Sequence, residues 1–186
     1  MTAIQLSQKT PMEVYDDWQK AIESIRVVIE NAQKGVVEAL PSWTLNLSLN
    51  EIQQLTENIA SETDWHFSLA LMASIEGLFH SQLKILLKRK RKDRVAKSLR
   101  QVFRDQKDQI EQDIYMRFDD ILDTWKKVDQ TAAIAISKLK DMLQYRHWLA
   151  HGRYWPIHYW NCPDPNDVYL LFVELDKAIG FELPGK

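Results

Sequence analysis

The chain contains one cysteine, Cys162, so no disulfide can close within it, and the expected compartment is a reducing cytoplasm. Glycine occurs 5 times and proline 6 times in 186 residues. So few breakers favour long helices over a strand-and-turn architecture. No uninterrupted apolar run approaches the ~20 residues of a membrane helix. Met1 to Thr10 is polar and lacks the apolar core of a secretory leader. What is there is an ordinary globular balance, 45% hydrophobic and 27% charged, which argues against disorder. The chain reads as one soluble cytoplasmic domain over residues 1–186, long enough to bury a sizeable core and with no membrane partner.

The net charge of −2 points to no partner, but its distribution is uneven. Between Lys84 and Lys107 stand eleven Lys or Arg against Asp93 and Asp105, a local balance of +9 in an otherwise acidic chain. Such a run fits a polyanionic partner. It also fits a plain solvated helix end and loop.

Apolar periodicity predicts a first helix over about Met12 to Gln33, with Trp18, Ile22, Ile25, Val28 and Ile29 on one face and Gly35 at its end. After a loop around Pro41 to Leu47, Ser48 or Asn50 offers a cap for a short helix carrying Ile52, Leu55 and Ile59. Ser61 to Asp64 offers a fresh start for a long helix to about Lys90. Further helices are expected over about Arg94 to Phe103, Asp108 to Val128 and Asp129 to Gly152. The run from Asp167 to Ala178, before Gly180, reads as helix or strand, and periodicity does not choose. Short connections between such helices imply an all-α antiparallel bundle of about five to seven helices.

Two of these segments carry a polar residue where none is expected. Trp65, Leu69, Met72, Glu76, Phe79, Leu83 and Leu86 recur at 4-3-4-3-4-3 spacing, the stripe of a helix against a packed partner, and Glu76 is the exception in it. Ala132, Ile136, Leu139, Leu143, Arg146 and Ala150 repeat the pattern with Arg146 as its charged member. A buried lone charge is costly, so each needs a partner, and the economical expectation is that Glu76 meets Arg146 across the bundle. Arg suits this because its fork can bind a carboxylate and keep donors for something else. A purely structural ion pair is the competing explanation.

His151 lies five residues after Arg146 and just before Gly152, where a helix should end. The negative end of the helix dipole favours imidazolium there. A His titrating near neutrality beside a fixed Arg suits acid–base work on a phosphodiester, although a terminal His is more often a simple cap.

The segment Tyr145-Arg146-His147-Trp148-Leu149-Ala150-His151-Gly152 resembles the R-x4–6-H signature of the HEPN superfamily, helical nucleic-acid-associated domains that include many ribonucleases. Ser74-Ile75-Glu76-Gly77-Leu78-Phe79 is similar to an acidic motif on an earlier core helix of that family. The resemblance covers those two helices and otherwise only the helical character of the chain. It implies a HEPN-like fold and a homodimer whose two motifs share one composite cleft. It also implies metal-independent RNA cleavage without a cofactor. His151 would then activate the 2′-hydroxyl or protonate the leaving 5′-oxygen. Arg146 would stabilise the phosphorane. His147, the polar residue that follows the Arg, would support them, and Glu76 would orient Arg146. A small solitary ribonuclease of this kind implies a toxin or antiphage role, with an antitoxin or regulatory protein as a possible partner. Some family toxins carry a modifiable Tyr two residues after the His; here Tyr154 is the third.

Around the motif, Arg153, Tyr154 and Trp155 form a basic aromatic segment that could stack on unpaired bases or fold back on the bundle. Lys88, Arg89, Lys90, Arg91 and Lys92 are candidates for the RNA backbone. Two rival readings stand beside the nuclease. His147 and His151 have the i, i+4 spacing of a metal site, with His158 or Cys162 as a third ligand, but Trp148 stands where H-E-x-x-H enzymes have Glu. The other rival is a non-catalytic helical dimer that binds RNA or a partner protein.

Overall fold

The structure is a computed structural model that describes residues 9–88, 94–107, 116–150 and 163–182. Among them lie six α-helices, two short 3₁₀ turns and no strand. α1 (Pro11–Gln33) starts where its sequence says it should. Thr10 and Glu13 form a reciprocal capping box, with Pro11 in the first turn. Its far end is set by Gly35, held at φ 68°, where an L side chain would be strained. The 3₁₀ turns Val37–Ala39 and Ser42–Thr44 lead to α2 (Leu49–Lys88), 40 residues and about 60 Å long.

α2 departs from expectation. Ser48 does cap it, accepting from Glu51 N at 3.3 Å while Glu51 accepts from Ser48 N at 2.7 Å. But the helix does not stop for a second start at Ser61 to Asp64. No Gly or Pro interrupts the chain between Ser48 and Glu76. Thr63 turns its hydroxyl back to Ile59 O at 2.7 Å, and Asp64 accepts from the Trp18 indole at 2.8 Å. Thr63 and Asp64 thus bond within the helix and to α1, which runs alongside.

α3 (Arg94–Lys107) is sharply amphipathic. It buries Ala96 and Leu99, and Arg100 donates to Leu86 O, near the end of α2, at 3.0 and 3.3 Å. α4 (Phe118–Val128) begins at Phe118 rather than Asp108, because Arg117 is extended, at φ −63° and ψ 143°. Ile110 and Ile114 lie outside the described residues. Asp129 alone separates α4 from α5 (Gln130–Ala150). Its carboxylate accepts from Thr131 N at 2.9 Å and Ala132 N at 3.4 Å.

The last element, left open between helix and strand, is helix: α6 (Pro165–Ile179). Asp164 and Asp167 form its capping box, Pro165 occupies its first turn, and Gly180 closes it at φ 66°. These end signals decide what the apolar run between them could not.

α2 is the central element and packs against each of the other five helices. The core gathers around its C-terminal half, where Leu71, Met72, Ile75 and Phe79 are wholly buried with Ile121, Leu122, Ile136, Leu139 and Leu175. Phe79 meets Phe118, Trp125 and Phe181 edge-on at 5.6, 5.5 and 5.0 Å. Tyr15 stacks on Tyr169 at 3.9 Å and donates to Asn166 at 2.7 Å, fastening α1 to α6. No described helix is long and apolar enough to cross a membrane.

Candidate site at the Glu76–Arg146 pair

The two stripes face each other, and their polar members meet. Arg146 Nη1 lies 2.8 Å from Glu76 Oε2, a charge-assisted contact between α5 and α2. Both side chains are fixed from below. Ile75 and Phe79 flank Glu76 with no exposed surface, and Tyr145, next to Arg146, is 1% exposed. The pair sits at the rim of the core, with side-chain exposures of 19% for Glu76 and 34% for Arg146. That is more open than two stripe positions imply. A pair reached by water avoids much of the desolvation penalty of a sealed one and stays accessible to a ligand.

α5 is held on three sides by its polar residues. Lys140 reaches Asp123 of α4 at 2.7 Å, Lys138 reaches Glu174 of α6 at 2.8 Å, and Arg146 reaches Glu76. Tyr145 stacks with Trp148 at 5.6 Å and lines a groove of about 580 Å³ between α5 and α6, beside Met142, Leu170 and Leu171.

A third member of the cluster was missed in the sequence. His80 Nε2 lies 4.0 Å from Glu76 Oε1, so one carboxylate stands between a guanidinium and an imidazole. Burial pushes the His80 imidazole below its usual range; the Glu76 carboxylate opposes this and Lys84 reinforces it. Near neutral pH, His80 is therefore mainly uncharged, and its contact with Glu76 is polar rather than ionic. The signal was available: His80 is at i+4 from Glu76, the spacing that puts two side chains on one helix face.

His147 is on α5 with its side chain exposed. Lys88 ends α2. Arg89, Lys90, Arg91, Lys92, His151, Arg153, Tyr154 and Trp155 lie outside the described residues, as do His158 and Cys162 of the rival metal reading. The structure thus brings together Glu76 and Arg146, adds His80, and carries His147 on the next position of α5. The arrangement offers a fixed cation for an anionic group and an uncharged imidazole nearby. No family model, curated protein or solved structure matches the chain.

Proposed function

We propose that the chain is a metal-independent RNA endonuclease of HEPN type, acting as a homodimer with a composite cleft, in a toxin or antiphage-defence role. The observation that carries this reading is the 2.8 Å contact of Arg146 with Glu76, a motif Arg held at the rim of the core by a carboxylate from an earlier helix. An Arg so fixed retains donors for a phosphate while losing little conformational freedom on binding it.

In the proposed reaction His151 takes the proton of the RNA 2′-hydroxyl. The 2′-oxygen attacks the adjacent phosphorus, Arg146 stabilises the charge of the phosphorane, and the bond from phosphorus to the 5′-oxygen breaks. The leaving oxygen takes up a proton, and the products carry 2′,3′-cyclic phosphate and 5′-hydroxyl ends. DNA has no 2′-hydroxyl and is not cut. Glu76 positions Arg146, and His147 contacts phosphate or orients a catalytic group.

The test is cleavage of a mixed RNA pool in EDTA by wild type and by folded Arg146→Ala and His151→Ala proteins. Cleavage by wild type alone, leaving cyclic phosphate ends, is the expected result. Equal cleavage by all three overturns the assignment. Binding without cleavage by wild type favours the non-catalytic helical dimer.

A further inference from the structure

Among the described residues some cations meet carboxylates and others do not. Lys9, Lys20, Arg26 and Lys34 meet carboxylates on or beside α1, and Lys138, Lys140 and Arg146 do so on α5. Among the described residues no carboxylate lies within ion-pair distance of Arg94, Lys97 or Arg104 on α3, or of Lys127 on α4, and all four side chains are exposed; the same holds for Lys84, Arg117, Lys126 and Lys177, so it is their grouping that sets the first four apart. Arg94, Lys97, Gln101 and Arg104 follow one another at i, i+3, i+7 and i+10, an outer face about 15 Å long on which Arg104 donates to Gln101 Oε1 at 3.0 Å and Gln101 donates to Asp105 at 2.7 Å. The opposite face of α3 carries Ala96 and Leu99 into the core.

Arg94 does not stand alone at its end of this face. Arg94 and Val95 of α3 and Lys127, Val128, Asp129 and Gln130 of the α4–α5 corner line one groove of about 540 Å³. Its single carboxylate is already engaged. Asp129 Oδ1 accepts from the Thr131 hydroxyl at 2.6 Å and from Thr131 N at 2.9 Å.

We infer that Arg94, Lys97 and Lys127, continued by Arg104, form a docking site for the phosphodiester backbone of single-stranded RNA. This rests on the nuclease reading for the identity of the polyanion, but not on cleavage. The groove offers charge without exposed large apolar side chains, since Val95 and Val128 are half-buried, which suits a repeating phosphate chain rather than a bilayer.

The test is the affinity of the full-length protein for a fluorescent single-stranded RNA, in EDTA, over a series of KCl concentrations. Arg94→Gln/Lys97→Gln/Lys127→Gln is compared with Lys20→Gln/Arg26→Gln/Lys34→Gln, which removes the same charge from paired positions on α1. The first variant is expected to bind at least about ten-fold more weakly, with a log–log salt slope shallower by about 0.7 for each phosphate that is no longer neutralised. The α1 variant is expected to stay within about two-fold of wild type, a small fraction of the free energy of one phosphate interaction. Equal weakening in both variants, an unchanged slope in the first, or no RNA binding by wild type overturns the site. Binding of phosphatidylserine vesicles in place of RNA overturns it in favour of a membrane. His151→Ala separates the two claims: RNA bound at this face without cleavage by wild type keeps the site and sinks the nuclease. Abolished cleavage in His151→Ala, with all variants binding alike, does the reverse.

Discussion

α2 is one continuous helix in two environments. From Leu71 to Leu86 it is surrounded, and Leu71, Met72, Ile75 and Phe79 have no exposed surface. From Leu49 to Phe67 the buried residues are Ile52 and Thr56, while Leu49, Leu55 and Ile59 remain 48%, 37% and 37% exposed. Both halves are equally helical. Backbone continuity follows from a cap and the absence of breakers, which are local; burial follows from how many neighbours reach each turn, which is not. The candidate site lies in the surrounded half. A carboxylate that must hold an Arg in one place is best carried by a helix that cannot shift.

The largest expected effect breaks the crowded half. Phe79→Ala removes a ring packed against three aromatic partners and should cost about 3–5 kcal/mol, as aromatic truncations in packed cores do. A denaturant midpoint close to wild type would show that the two halves do not differ. Arg146→Ala takes the guanidinium from Glu76 at a largely buried position and leaves it only the longer contact with His80, and a loss of about 1–3 kcal/mol is expected for a carboxylate that loses its charged hydrogen-bond partner. Glu76→Gln should lose less, since an amide is less costly to leave there. Equal losses from the two would point to packing rather than charge.

At the other end of the molecule, Thr10→Ala removes half of the α1 capping box and should cost about 1 kcal/mol. Ile59→Ser, in the exposed half of α2, should stay within about 0.5 kcal/mol of wild type. Amide exchange gives the same contrast without mutation. Residues 71–86 should exchange only through global unfolding, and residues 49–60 faster, through local opening. Uniform protection along α2 would remove the distinction.

The smallest effect concerns pH. The folded state holds the His80 pKa below its unfolded value of about 6.5. A base with a depressed folded pKa contributes fully above the unfolded value. Its contribution falls as pH drops below about 6.5, because the unfolded chain takes up the proton first. Wild type should lose stability between pH 7.5 and 5, and His80→Gln should lose less over the same range. Parallel curves in urea titrations at both pH values would place His80 in an ordinary aqueous setting.

Several features were legible before any tertiary contact. The end signals Ser48 and Gly35 mark helix ends, and two apolar stripes with one polar member each predicted that Glu76 and Arg146 meet. Others were misread. Ser61 to Asp64 has the composition of a helix start, but Thr63 bonds to the preceding turn and Asp64 to α1 instead. Phe118 begins α4 because Arg117 before it is extended, and periodicity reports which face is apolar, not where the backbone turns helical. The run from Val168 to Val173 fitted strand or helix until the capping box at Asp164 and the left-handed Gly180 were taken together. His80 was overlooked because a single His on a helix says nothing until the carboxylate one turn earlier is known to face an Arg.

The sequence by itself determined that the described chain is helical, where α1, α4 and α6 end, and which two charges need each other. These depend on residues a few positions apart and on the cost of an unpaired charge. Only the tertiary structure decided that α2 runs unbroken through both environments, that Glu76 is shared with His80, and that Arg94 of α3 and Lys127 of α4 line one groove while the cations of α1 and α5 meet carboxylates. The reason is physical: capping and propensity act within a turn or two of helix, whereas burial, pairing and groove formation depend on which helices the fold sets side by side.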